Sequence, residues 1–135
     1  MRKILTASAA AAALAACSTS TEPPVRSAQS QAEYLKAIEG RVASAPMNCL
    51  PSWDANDMRV IDDQTIVFGE RSNRVYVANL QSPCDNLGAP GYALMTQRPG
   101  GSGMCSGDIA TVVQTTSGMT AGSCVIGTFT PYTRP

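Results

Sequence analysis

From residue 49 onward, apolar side chains recur at every second position, which is the pattern of strands that bury one face. Five segments carry this pattern, at residues 59–68, 74–80, 92–96, 108–116 and 123–129. The first segment, RVIDDQTIVF, has two β-branched runs around Asp62-Asp63 and therefore predicts a hairpin. Together the segments predict a mainly β fold of about six short strands, arranged as a small antiparallel barrel or sandwich.

A helical period precedes the strands. Apolar residues recur at spacings of three and four, at Leu35, Ile38 and Val42. Ser30 and Glu33 match a capping box, in which a Ser side chain and a Glu three residues later satisfy free N–H groups. Because Pro46 cannot continue a helix, we expect a short helix from about 31 to 43, within a segment 30–45, and then a β domain at 46–135.

The chain begins with a pattern typical of exported proteins. Arg2 and Lys3 precede Ile4–Ala16, an apolar run broken only by two polar residues. This order of basic and apolar residues is that of a signal peptide, and the run is too short for a membrane span, which needs ~20 apolar residues. The string ALA (13–15) fits ordinary signal cleavage, whereas LAAC (14–17) resembles the lipobox of bacterial lipoproteins.

The number of cysteines favours the lipobox. The five cysteines are Cys17, Cys49, Cys84, Cys105 and Cys124. An odd cysteine in an exported protein requires its own explanation, and lipid on Cys17 leaves four that can pair. The alternative is that Cys17 is only a small residue of a discarded signal. The lipobox resemblance implies removal of residues 1–16, a diacylglycerol on the Cys17 sulfur and a fatty acid such as palmitate on its amino group.

Residues 17–29 follow as a tether between this anchor and the domain. They show no apolar periodicity and contain Pro23-Pro24, which predicts a disordered segment with a reach on the order of 20 Å. Ser18 stands where an Asp often retains lipoproteins at the inner membrane. By analogy with that class, we expect the outer membrane, facing the periplasm.

Length and charge limit the classes of function. Removing 16 of the 135 residues leaves 119, enough for one domain. Ten basic residues lose Arg2 and Lys3 on cleavage, so eight remain against ten acidic residues, a net charge of −2. Because phosphate backbones require clustered Lys and Arg, and no basic block is present, nucleic acid is not an expected partner.

Catalysis with histidine is excluded, because the chain contains none. This removes Ser-His-Asp and Cys-His mechanisms and His-containing zinc sites. The four later cysteines stand 35, 21 and 19 positions apart without a C-x-x-C pair, so structural disulfides are the prediction. Glu33 precedes Lys36 by three residues, so the Ser-x-x-Lys pattern is absent. We therefore predict no catalytic residue, no metal site and no cofactor.

Carboxylates are the remaining catalytic material. The candidates are Asp54, Asp57, Asp62, Asp63, Asp85 and Asp108. A pair of them could hydrolyse a glycosidic bond. However, Asp62-Asp63 and Asp108 stand at turns, where Asp side chains bond their own backbone, and the spacing of a calcium loop is missing. We prefer the turn interpretation.

Two other features are candidates for binding. Trp53 is the single tryptophan, and a surface tryptophan often marks a binding site. Because it follows Cys49 by four residues, packing against a disulfide is the preferred interpretation. Residues 88–104 are rich in Gly and Pro and predict a loop region of the kind that often carries function.

Several pieces of the chain also resemble a family of short bacterial exported proteins of unknown function. They are CLPSW (49–53), RVIDDQTIVFG (59–69), RVYVANLQSPCDNL (74–87), MCSGDIATVV (104–113) and SCVIGTF (123–129). The resemblance covers about residues 49–129. It implies a shared pattern of cysteines and strands, and no activity or catalytic residue.

Four cysteines allow three disulfide connectivities. A hairpin between the last two strands places Thr111, not Cys105, opposite Cys124, which disfavours a 105–124 bond. Cys84 and Cys105 bracket the Gly/Pro-rich stretch, and a bond between Cys49 and Cys124 would suit a sheet that closes on itself. We therefore predict Cys84–Cys105 with Cys49–Cys124, over Cys49–Cys105 with Cys84–Cys124.

These observations predict a non-enzymatic, lipid-anchored protein of the cell envelope. It would be held at the membrane by lipid on Cys17 and would bind or support an unknown envelope protein or cell-wall component. The alternatives are a carboxylate-dependent hydrolase acting on peptidoglycan and an inhibitor of an envelope hydrolase such as lysozyme.

Overall fold

The computed structural model describes residues 25–97 and 103–135. The predicted signal peptide, Cys17, the tether up to residue 24 and the centre of the Gly/Pro-rich loop lie outside the described residues. The elements in chain order are α1 (Ala28–Ile38), β1 (Val42–Ala43), β2 (Cys49–Leu50), β3 (Met58–Val60), β4 (Thr65–Phe68), β5 (Arg74–Leu80), β6 (Tyr92–Thr96), β7 (Met104–Cys105), β8 (Ile109–Gln114) and β9 (Thr120–Thr133).

The predicted helix exists, but its predicted ends are wrong. The N-cap is Ser27, whose hydroxyl oxygen accepts a hydrogen bond from the Ser30 N–H at 3.1 Å. Ser30 therefore lies inside the first turn, and the segment 17–29 loses its last two residues to the helix. The helix ends at Ile38, before Gly40 in the left-handed conformation (φ +66°), which is a common way to end a helix. Pro46 is therefore not what stops it.

The strands form one antiparallel sheet in the order β3-β4-β5-β9-β8-β6, and β1 pairs with β9 outside this order. The sheet curls into a half-barrel, so the prediction of a mainly β, antiparallel fold with one short helix is confirmed. The long strand β9 joins the two halves, because residues 120–125 pair with β8 and residues 126–133 pair with β5. The two-stranded β2-β7 ladder lies outside the sheet.

Both predicted hairpins are present. β3 and β4 pair around Asp62-Asp63, with Val60 opposite Ile66. β8 and β9 also pair, but a bulge between Val112 and Val113 shifts their register. Ala110 therefore stands opposite Cys124, one residue from the predicted Thr111.

Two apolar clusters lie on opposite faces of β4 and β5. The main core contains Leu50, Ile66, Phe68, Tyr76, Ala78, Cys84, Met104, Cys124, Ile126 and Phe129, among others. The second, which we call the helix-side cluster, places Val67, Val75 and Val77 of the sheet against Ala37 of α1. Because both faces are covered, all four residues of β4 are buried, as in strands that lie between two layers.

Candidate functional site

The four described cysteines form two disulfides, and the predicted pairing is wrong. The bonds are Cys49–Cys105 and Cys84–Cys124, with Cα–Cα distances of 4.0 and 5.4 Å. Cys49 lies directly opposite Cys105 because the two-residue strands β2 and β7 pair antiparallel. These strands are too short to show an apolar period, so the sequence did not predict them. The assumed closure of the sheet, which favoured a bond between Cys49 and Cys124, is also absent from the described strand order.

Trp53 is exposed, contrary to the preferred prediction that it packs against a disulfide. Its side chain is 75% exposed. It precedes a short 3-10 helix, Asp54–Asn56, in which Ala55 is the buried residue. Ala55 therefore occupies the inward position of this turn, and the indole points away from the main core. Trp53 remains a candidate for binding.

Three of the candidate carboxylates have local structural roles. Asp62 Oδ1 accepts from the Gln64 N–H at 2.9 Å, and Asp108 Oδ2 accepts from the Cys105 N–H at 2.7 Å. Both bonds confirm the turn interpretation. Asp57 Oδ2 accepts from the Arg71 N–H at 3.2 Å. Within residues 25–97 and 103–135, no group of three His, Cys, Asp or Glu side chains could hold a metal ion.

A polar group joins α1 to the sheet at the edge of the helix-side cluster. The hydroxyl groups of Tyr34 and Tyr132 share a hydrogen bond of 3.1 Å, and the Arg26 guanidinium lies 4.3 Å from the centroid of the Tyr34 ring. Arg26 Nε is also 3.0 Å from Asp62 Oδ2, in a largely buried ion pair. Burial and the hydrogen bond with Tyr132 raise the pKa of Tyr34 from 10.0 to about 12. The phenol therefore stays neutral well above physiological pH.

A cavity of about 330 Å³ lies beside the C-terminal half of α1. It is lined by Lys36, Ala37, Arg41, Arg59, Glu70 and Arg134. We call it the basic pocket, because four cationic side chains and a single carboxylate line it. These cations are four of the ten basic residues of a chain that has ten acidic residues as well.

The carboxylate of the basic pocket is already paired. Glu70 Oε1 lies 2.7 Å from Arg59 Nη2, and Glu33 Oε2 lies 3.7 Å from Arg59 Nη1. Both acids thus neutralise the same guanidinium. Lys36 and Arg134, which also line the pocket, are exposed.

Arg41 is held by neutral groups instead. Its Nη1 donates to the Ala37 carbonyl oxygen at 3.0 Å and its Nη2 to the Ser72 carbonyl oxygen at 3.4 Å. Its Nε–H, like that of Arg59, is buried and has no hydrogen-bond acceptor among the described residues. The positive charge of Arg41 is fixed in place by these contacts without being compensated by them.

Sequence reasoning missed the basic pocket. Its cations come from α1, from the segment after α1, from β3 and from the residue after β9, so Arg59 and Arg134 are far in the chain from Lys36 and Arg41. The sequence contains no block of basic residues, but the fold brings four separate basic residues together. The placement of Lys36 and Arg41 near the end of the helix was the one local signal.

A second cavity, of about 210 Å³, lies between the two edges of the sheet. It is lined by Met58, Val60, Leu87, Gly88, Tyr92, Ala93, Leu94 and Val112. A Cβ atom on Gly88 would lie only 2.9 Å from a methyl carbon of Val60. Apolar side chains from β3 and β6 thus face each other where the half-barrel is open.

The fold defines a class: a small mainly β domain with an open antiparallel sheet, one packed helix and two disulfides. A family model covers residues 1–134, and the chain belongs to that family, DUF6491, a family of unknown function. No curated protein and no solved structure matches the chain. In the part of the chain that the structure describes, no helix has the length and apolar character to cross a membrane.

Proposed function

We propose that this protein is a lipid-anchored protein of the bacterial cell envelope, whose disulfide-bonded domain binds another envelope component without catalysing a reaction. The anchor would be Cys17, and the domain would face the periplasm from the outer membrane. Residues 17–27 would connect the lipid to α1.

The pairing of the cysteines carries the proposal. All four described cysteines are in disulfides, so Cys17 is left as the odd cysteine, directly after the apolar run. Two disulfides also support an oxidising compartment, since such bonds are rare in the cytosol. A lipobox resemblance, an odd cysteine and disulfides all support export with a lipid on Cys17.

The anchor is tested by labelling cells with radioactive palmitate and separating membranes by flotation. The wild-type chain should carry the label and float, because several acyl chains give stable anchoring where one does not. Cys17→Ala should lose the label and leave the membrane fraction, whereas the neighbouring Ser18→Ala should keep both. An unlabelled wild-type chain, or a Cys17→Ala chain that is still labelled, would contradict the proposal.

The binding role is supported by the exposure of Trp53. Tryptophan is enriched at interfaces because it offers a large apolar area with a polar N–H. The indole is 75% exposed beside the 3-10 turn, so a partner could cover most of its surface.

A photo-crosslinking residue at position 53 tests the binding role in intact cells. Position 119 gives the matched control, because Met119 is also a large apolar side chain and is 64% exposed. We expect one saturable crosslinked product at position 53 and none at 119. Equal crosslinking at both positions, or none at 53, would contradict a site at Trp53.

The non-enzymatic part is tested with purified peptidoglycan. The mature chain is expected to release no soluble fragments. Release that Asp54→Asn abolishes, with the circular dichroism spectrum unchanged, would establish the hydrolase alternative instead.

A further inference from the structure

We propose that the basic pocket binds a phosphate group. The proposal concerns Lys36, Arg41, Arg59 and Arg134, and it does not depend on the lipid anchor or on Trp53. It rests on the concentration of charge, on the fixed geometry of the guanidinium groups and on the shape of the cavity.

The charge in the basic pocket exceeds what local structure requires. Lys36, Arg41, Arg59 and Arg134 line the cavity with Glu70, and even with Glu33 included a net charge of about +2 remains. Cations near the C-terminus of a helix stabilise its dipole, which accounts for Lys36 and Arg41. Arg59 is paired with Glu70 and Glu33, but neither explanation covers Arg134, which comes from the C-terminal segment. The positive charge that Glu70 and Glu33 leave uncompensated would be stabilised by a bound anion.

The guanidinium groups suit a phosphate in particular. Arginine presents a planar fork of N–H donors that matches the spacing of phosphate oxygens. Arg41 is already oriented by its bonds to Ala37 and Ser72, so little entropy is lost when a ligand binds. A doubly charged phosphate monoester would balance the remaining charge better than a single carboxylate. A cavity of about 330 Å³ leaves room for the group to which the phosphate is attached.

The source of the phosphate is either a soluble compound or a lipid headgroup. Both present the same terminal oxygens to the pocket. A site for a lipid headgroup should bind phosphate more tightly when it is part of a lipid, whereas a site for a soluble compound should not. The experiment therefore compares inorganic phosphate with phosphatidic acid.

The test uses the full mature chain in neutral detergent at low salt, observed by NMR through the Nε–H signals of Arg41 and Arg59. Both groups belong to side chains that line the pocket, so their signals should shift when an anion binds to the guanidinium groups. Inorganic phosphate should shift them saturably. If the natural source is a lipid, phosphatidic acid added to the micelles should shift the signals at a lower concentration than inorganic phosphate. If the source is a soluble compound, the two should act at equal concentrations. Phosphatidylcholine, whose phosphate is shielded by choline, should shift neither signal.

Variants separate a built site from general attraction of anions. Lys36→Gln with Arg134→Gln should weaken phosphate binding at least tenfold, because each substitution removes a charge-assisted hydrogen bond to the anion. Both residues are exposed, so the fold should persist. The matched control is Arg71→Gln, which removes one exposed cation outside the pocket and should change the affinity less than twofold. Absence of saturable shifts in the wild type, or equal weakening by Arg71→Gln, would overturn the proposal.

Discussion

The two disulfides close loops of similar length in different surroundings. Cys49–Cys105 spans 56 positions and Cys84–Cys124 spans 40. In the chain-entropy model each loop is worth about 4 kcal/mol, and the two differ by only about 0.3 kcal/mol. Cys84 and Cys124 are 0% and 2% exposed in the main core, whereas Cys49 is exposed. The loss of unfolded-state entropy is therefore nearly the same for the two bonds. A difference in their contributions to the free energy of unfolding must come from packing in the folded state.

Removal of the buried bond should have the largest effect. Cys84→Ala with Cys124→Ala loses the loop constraint and also leaves a cavity between Ala110 and the neighbouring apolar side chains. We expect a loss of about 5 kcal/mol in the free energy of unfolding, measured by urea denaturation. For a small domain, such a loss is comparable with the whole stability.

Removal of the surface bond should cost less. Cys49→Ala with Cys105→Ala loses a similar loop constraint but opens little space in the core, so we expect about 2–4 kcal/mol in the same urea titration. Mild reduction of the wild type should also open this bond first, because its Cys49 sulfur is accessible to an attacking thiolate. The reverse order of stability, or first reduction of Cys84–Cys124, would contradict the comparison.

A glycine beside the buried bond should have an intermediate effect. A Cβ atom on Gly122 would lie 2.8 Å from the carbonyl oxygen of Asp85, the residue after Cys84. Gly122→Ala should therefore force the two chains apart and cost about 1–3 kcal/mol, measured by thermal unfolding. Ser123→Ala, an exposed neighbour, should change stability by less than about 0.5 kcal/mol. Equal losses of stability in the two variants would contradict a close contact between Gly122 and the backbone of Asp85.

The smallest expected effect is on pH dependence and involves neither disulfide. The pKa of Tyr34 in the folded state is about 12, above its ordinary value of 10.0. Neutral Tyr34 therefore adds stability that is complete below pH 10 and is lost as the pH rises from 10 toward 12. Tyr34→Phe should show a shallower loss across this window in urea titrations. An identical pH profile in both chains would mean that the Tyr34–Tyr132 pair does not contribute.

The sequence predicted the longer strands of the sheet, because the alternation of apolar and polar residues can be recognised only over several residues. RVYVANL (74–80) and YALMT (92–96) are strands at the predicted residues. β2 and β7 contain two residues each, so they carry no period, and the disulfide pairing that depends on them was predicted wrongly. The bulge between Val112 and Val113 shifted the register of β8 against β9 by one residue. No local pattern in the sequence marks this bulge.

The candidate sites were harder to predict than the fold. Ser30, with Glu33 three residues later, matches the capping box, yet Ser27 is the N-cap. Trp53 is exposed because Ala55 takes the inward position, which the two residue types alone would not suggest. The basic pocket combines Lys36 and Arg41, which are close in the chain, with the distant Arg59 and Arg134, so its full charge is visible only in three dimensions.

The central claim is that Cys17 is lipidated and that the other four cysteines pair as Cys49–Cys105 and Cys84–Cys124. Cleavage after methionine, without reductant, tests it on protein purified from membranes, because it places each cysteine in a separate fragment. Mass spectrometry should find fragment 48–58 joined to 105–119, fragment 59–95 joined to 120–135, and a fragment ending at Met47 that begins with acylated Cys17. Joining of 59–95 to 105–119, or a fragment in which Cys17 is unmodified or disulfide-bonded, would contradict it.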